Sequence, residues 1–277
     1  MAKRKRTPTE AKIHKWIKEG RGQGRGAQYK PWLRIQDVPS KGLSTRVPGW
    51  KTSRIHHFLS NLELSYFYHL EWSDVVTDIR EQFPLPLEDT VLIAEELGIK
   101  HLMISNTQES VVMTTDFLVT VQRGNTEYDV ARTCKYAQDL QSENVLKKLE
   151  IERVYWKTRN INWGIVTERD MNTVIASNVG WIYEHKIIKD LSADTINRVQ
   201  SVLTQSITTS SSPLTNLSFQ CDDRLGLDPG TSLMIVRHLL ASKKWEVDMT
   251  HQIQPEERLV IKSIAAVPLL RQAGGAR

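Results

Sequence analysis

Thr114-Thr115-Asp116-Phe117-Leu118-Val119-Thr120-Val121, then Gln122-Arg123-Gly124-Asn125-Thr126, then Glu127 through Lys135, is the stretch on which the reading of this chain turns. Two runs of β-like sequence joined by a Gly/Asn turn predict a hairpin. Strand alternation puts Asp116 on one face with Thr114, Leu118 and Thr120. In the second run Asp129, Ala131, Thr133 and Lys135 share a face, opposite Tyr128, Val130, Arg132 and Cys134. An acid early in one strand and a lysine late in its partner can therefore meet on one side of the ribbon. Carboxylates hold a hard divalent cation, and a lysine beside them can orient or activate a water that attacks a phosphodiester. The same two residues also make an ordinary solvated ion pair, and the hairpin alone leaves both readings open.

Around this hairpin, 277 residues suffice for one large domain or two ordinary ones, and a hydrophobic content of 40% supports buried cores. No run approaches the ~20 apolar residues of a membrane span. Met1-Ala2-Lys3-Arg4-Lys5-Arg6 is basic but lacks the apolar segment of a secretory signal. Cys134 and Cys221 lie far apart and offer neither a disulfide framework nor a zinc cluster, so a reducing cytoplasm is the expected setting. The net charge of +5 hides an asymmetry: residues 1–57 carry 15 Lys/Arg against three Asp/Glu, a net of +12, and the rest sums to −7. A basic front on a mildly acidic body suits a polyanion, most simply nucleic acid.

Residues 7–20 read as a short amphipathic helix with Ile13, Trp16 and Ile17 as its apolar set. Arg21-Gly22-Gln23-Gly24-Arg25-Gly26 is not a phosphate loop, since no strand precedes it and no Gly-Lys-Ser/Thr follows. It reads as a flexible basic arm, anchored by Tyr29, Trp32 and Leu33. Lys41, Arg46, Lys51, Arg54, His56 and His57 suit a DNA-facing loop over 39–57. Ser60 or Asn61 caps a helix from Leu62 to about Trp72, with Leu62, Tyr66, His69 and Leu70 as its packing stripe and Glu63 in its first turn. Val75–Ile79 reads as a short strand that ends in Arg80-Glu81-Gln82-Phe83-Pro84-Leu85, and Glu88–Leu97 as a helix closed by Gly98. A helix from Gln141 to about Thr158 packs through Leu146, Leu149 and Trp156, with Glu152 between them pointing inward and needing a partner. Asn162–Thr167 is a strand, and Glu168 is positioned to cap the helix after it.

The first 168 residues thus predict a mixed sheet flanked by helices, an α/β unit. Residues 169–277 form a second unit: helices over 172–189 and 192–203, a Ser/Thr-rich connector at 208–215, and a short helix or turn at 219–227. Asp228-Pro229-Gly230 then leads into a helix at Thr231–Ala241 and a strand at Trp245–Asp248. That order is compatible with a winged-helix domain, with Lys243, Lys244 and Trp245 on a mixed exposed surface, Trp245 being readable equally as an anchor for a partner or as a core residue, and residues 272–277 read as a disordered tail.

Taken in order, Arg54 through Glu63, Arg80 through Leu85, Thr115 through Val119, Cys134-Lys135, Leu149 through Arg153 with Tyr155-Trp156, and the block from Thr231 to Met249 resemble TnsA, the endonuclease subunit of heteromeric bacterial transposases. The resemblance spans nearly the whole chain. It implies a restriction-endonuclease-like N-terminal domain and a winged-helix-like C-terminal, partner-binding domain. The family's catalytic acid from the early helix falls on Glu63, its central aspartate on Asp116 and its lysine on Lys135. The broader nuclease pattern would place a carboxylate two residues before the lysine, where this chain has Thr133. Glu63 is the family's substitute, and the main-chain carbonyl of Cys134 can be a further metal ligand. Asp129 is a weaker candidate, and Glu152 is a supporting acid.

The implied chemistry is hydrolysis of a DNA phosphodiester assisted by one or two Mg²⁺ ions, with Mn²⁺ able to substitute. The implied task is cutting the 5′ ends of a transposon in double-stranded DNA. A TnsB-like transposase would cut and join the 3′ ends, and a TnsC-like ATP-dependent regulator would contact the C-terminal region; no membrane is involved. Two alternatives share parts of the pattern: a stand-alone restriction- or repair-type endonuclease, and a non-catalytic DNA-binding scaffold.

Overall fold

In the computed structural model, which describes residues 10–38, 44–103 and 110–265, the hairpin forms the middle of a four-stranded sheet. The chain divides into two compact units, residues 1–173 and 174–277. The first contains α1 (Glu10–Lys18), a two-stranded ribbon of β1 (Thr45–Pro48) and β2 (Ile55–Phe58), α2 (Asn61–Trp72), β3 (Val76–Pro84) and α3 (Leu87–Glu96). It continues with β4 (Thr114–Arg123), β5 (Thr126–Cys134), α4 (Glu143–Thr158) and β6 (Asn162–Val166). Sheet order is β3-β4-β5-β6; β3–β4 and β4–β5 are antiparallel, and β5–β6 is parallel. Gly124-Asn125 closes the hairpin with Arg123 opposite Thr126, and Gly124 takes the positive φ (+58°) that such a tight turn requires. A parallel pair needs a crossover, and α4 supplies it. This mixed sheet flanked by helices is the restriction-endonuclease-like arrangement that the sequence anticipates.

Each sheet face has its own core. Leu118 and Ala131 pack with Leu85, Ile93, Met113, Ile151, Tyr155 and Trp156 beneath α3 and α4. On the α2 side Phe58, Phe67 and Phe117 are fully buried, with ring centroids 4.6 Å apart for Phe58–Phe67 and 6.1 Å for Phe58–Phe117. Burial of each such ring contributes roughly 2–3 kcal/mol.

The cationic stretch before α2 serves the fold rather than solvent. β3 does not stop at Ile79 but runs on to Pro84, with Arg80 opposite Leu118 and Glu81 opposite Phe117. Glu81, fully buried, accepts from both terminal nitrogens of Arg54 (2.8 and 2.5 Å), from His56 Nδ1 (2.8 Å) and from the His57 amide (3.2 Å). Burial pushes the Glu81 carboxyl up, but His56 and Arg54 outweigh it and hold the group well below the usual carboxylate range. Lys51 donates to the Ser73 carbonyl at 2.7 Å, Arg46 is exposed, and Lys41 lies outside the described residues.

The glycine-rich arm is likewise folded down. Arg21 is buried, bonded to Asp37 (2.6 Å), Glu19 (2.9 Å) and the Trp32 carbonyl (2.9 Å), with its guanidinium 4.4 Å from the Trp16 ring centroid. Gly22, at φ +79°, lies so close to Pro84 that a Cβ would fall 2.2 Å from its ring. Tyr29 is buried and donates to the Glu81 carbonyl at 3.1 Å. Arg25 stays largely exposed but pairs with Glu127 (3.2 Å) and Asp129 (3.5 Å). Ile17 and Leu146, expected in packing stripes, are about half exposed because nothing described covers those helix faces. Glu168 accepts from the Ala137 amide at 2.9 Å instead of capping a helix.

The second unit holds most of α5 (Thr173–Ile182), then α6 (Ala193–Thr209), α7 (Leu214–Leu225), α8 (Thr231–Ala241) and an antiparallel ribbon of β7 (Trp245–Val247) and β8 (Ile261–Ile264). The expected connector at 208–215 is present but shorter, residues 210–213 between α6 and α7, and β8 is an addition that its short, exposed sequence does not announce. Buried Asp222 caps α8, accepting from the Gly230 and Ser232 amides at 2.8 Å each, an acid placed at the positive end of the helix. Trp245 is a core residue here and not an exposed anchor, since β7 packs against α8. Residues 272–277 lie outside the described residues.

Removing the Glu81 carboxylate should strand a buried cation. Glu81→Ala is expected to lose roughly 3–5 kcal/mol in denaturant unfolding. A loss under about 1 kcal/mol, the range of surface pairs, would contradict that role.

Candidate active site

Glu63 is positioned by the cap of its own helix. Ser60 Oγ accepts from the Glu63 amide (3.2 Å) and donates to Glu63 Oε1 (2.9 Å), a variant of the capping box. Glu63 Oε2 accepts from the Leu59 amide (3.0 Å) and from Gln82 Nε2 (3.3 Å). The carboxyl is buried, and burial is the main reason that it rises to about 7, with Asp116 next. Bonds from Leu59 and Ser60 and the charge of Lys135 offset part of that rise.

Asp116 comes from β4. Its Oδ2 accepts from the Cys134 amide (2.8 Å) and from Lys135 Nζ (3.2 Å). Lys135 Nζ also donates to the Cys134 carbonyl (2.9 Å), and the Lys135 amide is held by the Val166 carbonyl of β6 (3.0 Å). Burial disfavours the ammonium, but Asp116, Glu152 and Glu63 outweigh burial and raise its pKa above the usual lysine range. The structure thus brings Asp116, Lys135 and Cys134 together, with Glu63 close enough to feel the charges of Asp116 and Lys135.

Alternation does not hold through this part of β4. Thr115 bonds Glu152 and Trp156 of α4, and Leu118 packs against the same helix. Residues three apart cannot share a face of a regular strand, so β4 is irregular between them. The partner strand carries Gln82 at φ +49°, close to the same point. This irregularity aims Asp116 at Lys135, and the simple period-two reading missed it.

Glu152 finds neither a cation nor Lys135 as a hydrogen-bond partner. One oxygen, Oε1, accepts from Thr115 Oγ1 (2.7 Å), Thr133 Oγ1 and Trp163 Nε1 (3.0 Å). Burial, only partly offset by these donors, pushes it up to about 7. Thr133, standing where many nucleases have an acid, therefore serves to hold Glu152. Asp129 is committed elsewhere, to Arg80 and Thr120 at 2.6 Å each. Gln82 is the residue that sequence reasoning passed over; its only signal was its place inside the Arg80–Leu85 stretch.

The donor chemistry fits a hard divalent cation. Two carboxylates and a main-chain carbonyl form an all-oxygen set. Burial raises the Cys134 thiol well above its ordinary value, which leaves the carbonyl rather than a thiolate as its donor. The Lys135 ammonium already bridges Asp116 and the Cys134 carbonyl, so those two oxygens converge on positive charge. No group of three or more His, Cys, Asp or Glu side chains forms a metal cluster among the described residues.

A restriction-endonuclease-like sheet with an acid and a lysine at adjacent strand ends, faced by a second acid from a helix start, is the framework of a nuclease. Residues 73–168 match the model for the TnsA-like endonuclease N-terminal domain, and residues 170–249 match that for the TnsA endonuclease C-terminal domain. The chain is 42% identical over 242 residues, 87% of each sequence, to the Escherichia coli "Transposon Tn7 transposition protein TnsA". It belongs to the TnsA endonuclease family and is a DNA endonuclease. Asp116 and Lys135 lie inside the first matched segment, and Glu63 precedes it. Among the described residues no helix is long and apolar enough to cross a membrane.

The raised Glu152 carboxyl has a consequence for stability. A carboxyl whose folded pKa exceeds its unfolded value adds a penalty that is absent below about pH 4.5 and grows as pH rises toward 7. Five histidines lowered by burial act in the opposite sense over part of that range, so the difference between variants is the informative quantity. Glu152→Gln should gain stability relative to the metal-free wild type between about pH 5 and pH 8, by on the order of 3 kcal/mol. A difference that stays constant with pH would show that Glu152 is not the titrating group.

Proposed function

We propose that this endonuclease cuts the 5′ ends of a transposon by metal-assisted hydrolysis, with Glu63, Asp116 and the Cys134 carbonyl holding Mg²⁺, or Mn²⁺ in its place. The observation that carries the reading is the part-buried ion pair of Lys135 with Asp116 at 3.2 Å, beside a Glu63 carboxyl raised to about 7. A Glu63 carboxyl raised in part by the charge of Asp116, with one ammonium near both, makes a site short of positive charge. A bound divalent cation would supply that charge and the Lewis acidity that a phosphodiester requires.

The chain's own residues do the rest. Lys135, held protonated, acts through its N–H groups: it donates to a non-bridging phosphate oxygen or orients the attacking water, and it is not the base. Cys134 and Asp116 fix the ammonium through hydrogen bonds on both sides. Glu152 acts at one remove, locking Thr115 and Thr133, the neighbours of Asp116 and Cys134.

The partners in this reading are a TnsB-like transposase for the 3′ ends and a TnsC-like ATP-dependent regulator, with the second unit as the docking part. Its helices α6, α7 and α8 followed by the β7–β8 ribbon run in the order a winged-helix domain would take, which supports that assignment. The front of the chain offers fewer DNA contacts than its composition suggests, because Arg21, Arg54 and His56 are buried in structure.

Asp116→Ala in a reconstituted transposase should assemble with both partners as the wild type does and leave the 5′ ends uncut. Normal 5′ cutting by that variant would remove the metal assignment. Lys135→Ala should lower single-turnover cleavage by about 10²–10³-fold with DNA affinity nearly unchanged. A variant that loses affinity yet cuts at the wild-type rate once saturated would reduce Lys135 to a phosphate contact.

A further inference from the structure

Gln82 is the least ordinary residue near the site. It lies inside a β-strand, is buried, and is not a glycine, yet its backbone sits in the left-handed region at φ +49°. Such a conformation is unfavourable for a long side chain and persists only where the surroundings enforce it. The enforcing contacts are visible. The Trp32 amide bonds the Gln82 carbonyl at 3.2 Å, and the neighbouring Glu81 is locked by Arg54 and His56. On the other side, Phe83 resumes pairing with Thr115 of β4.

This backbone kink determines where the amide goes. Gln82 Nε2 donates to Glu63 Oε2 at 3.3 Å, and Gln82 Oε1 accepts from Thr114 Oγ1 at 3.2 Å. A carboxylate only accepts, so the NH₂ group, and not the oxygen, meets Glu63, and the Thr114 hydroxyl donates to the other end of the amide. Glu63 is then gripped from two sides: its own helix cap holds it through Leu59 and Ser60, and the sheet holds it through Gln82. The donor on the sheet side is neutral. A lysine or arginine there would itself supply the positive charge that the paired acids lack, whereas an amide orients Glu63 and leaves that charge to come from elsewhere.

We propose that Gln82 is a positioning residue for the reaction: held in a strained backbone conformation between Thr114 and Glu63, it orients the Glu63 carboxylate toward Asp116 so that the two acids receive one divalent cation. The proposal rests on the metal-dependent reading above. It predicts an effect on metal affinity that runs through Glu63 and does not reach DNA binding.

The experiment is Mn²⁺ binding to the full-length chain without DNA, followed by titration calorimetry, for wild type, Gln82→Met, Glu63→Gln and the double variant. Gln82→Met keeps the side-chain length and removes both amide groups. It should weaken Mn²⁺ by about 10-fold, the lower end for loss of a group that orients a ligand. In the Glu63→Gln background the same change should cost nothing further, because the group that Gln82 orients is already altered. In cleavage at saturating Mn²⁺, kcat should fall while KM for DNA stays constant.

Wild-type Mn²⁺ affinity in Gln82→Met, or an equal loss in both backgrounds, would overturn the positioning role while leaving the metal site standing. No Mn²⁺ binding by the wild type would overturn both. Should Gln82→Met not fold, Thr114→Val provides the second variant: it removes the hydroxyl that orients the amide and should weaken Mn²⁺ in the same direction by a smaller factor. Unchanged affinity in that variant would likewise count against the proposal.

Discussion

A charge without solvent organises the catalytic unit. Glu81 is fully buried, and an isolated carboxylate in that position would be prohibitively unfavourable. Arg54, His56 and the His57 amide converge on it, and that requirement ties the β1–β2 ribbon to β3. Two lines of consequence run to the active site. β2 ends at Phe58, just ahead of the Ser60 cap that presents Glu63. Along β3, Glu81 is followed at once by the left-handed Gln82, which meets Glu63 from the sheet. Both supports of one carboxylate thus descend from a single buried ion pair. Such pairs add little net stability over an apolar replacement, and here the return is a unique arrangement.

The unit's buried acids fall into two groups according to what faces them. Glu81 meets a guanidinium and an imidazole and is held ionised. Glu63 and Glu152 meet amides, hydroxyls and an indole, and both rise to about 7. Neutral donors offset part of the cost of burial but do not cancel charge. Glu81 is thus a fixed charge of the scaffold, whereas the cost of ionising Glu63 and Glu152 is only partly met within the protein.

Local signals made much of this legible. The Gly124-Asn125 turn and the alternation around it gave the hairpin, which sets the start of β4 beside the end of β5, though the direction of Asp116 depends on an irregularity that alternation does not show. Ser60 followed by Glu63 announced a helix start and so gave the second acid its position. What escaped depends on partners distant in sequence. Arg54 and His56 read as DNA contacts because nothing in residues 39–57 reveals that Glu81 will lie against them. Arg21 is a similar case, since its partner Asp37 and the Trp16 ring become neighbours only when the arm folds back. Trp245 beside two lysines read equally as an exposed anchor or a core residue, and a three-residue strand is too short for alternation to decide between them. Gln82 could not be anticipated at all: a positive φ in a strand carries no composition signal when the residue is not glycine.

The parallel pairing of β5 with β6 bears on the order in which the catalytic unit is completed. Glu63, Asp116 and Lys135 are all synthesised before residue 162, yet the Lys135 backbone is held by Val166, across the whole of α4. Closing a parallel crossover is among the slower and later events of folding. A chain that stops short of β6, or is still emerging from the ribosome, has these three residues without the strand that holds the Lys135 backbone. The order of synthesis and folding thus puts the placing of the Lys135 backbone last, with the completed sheet.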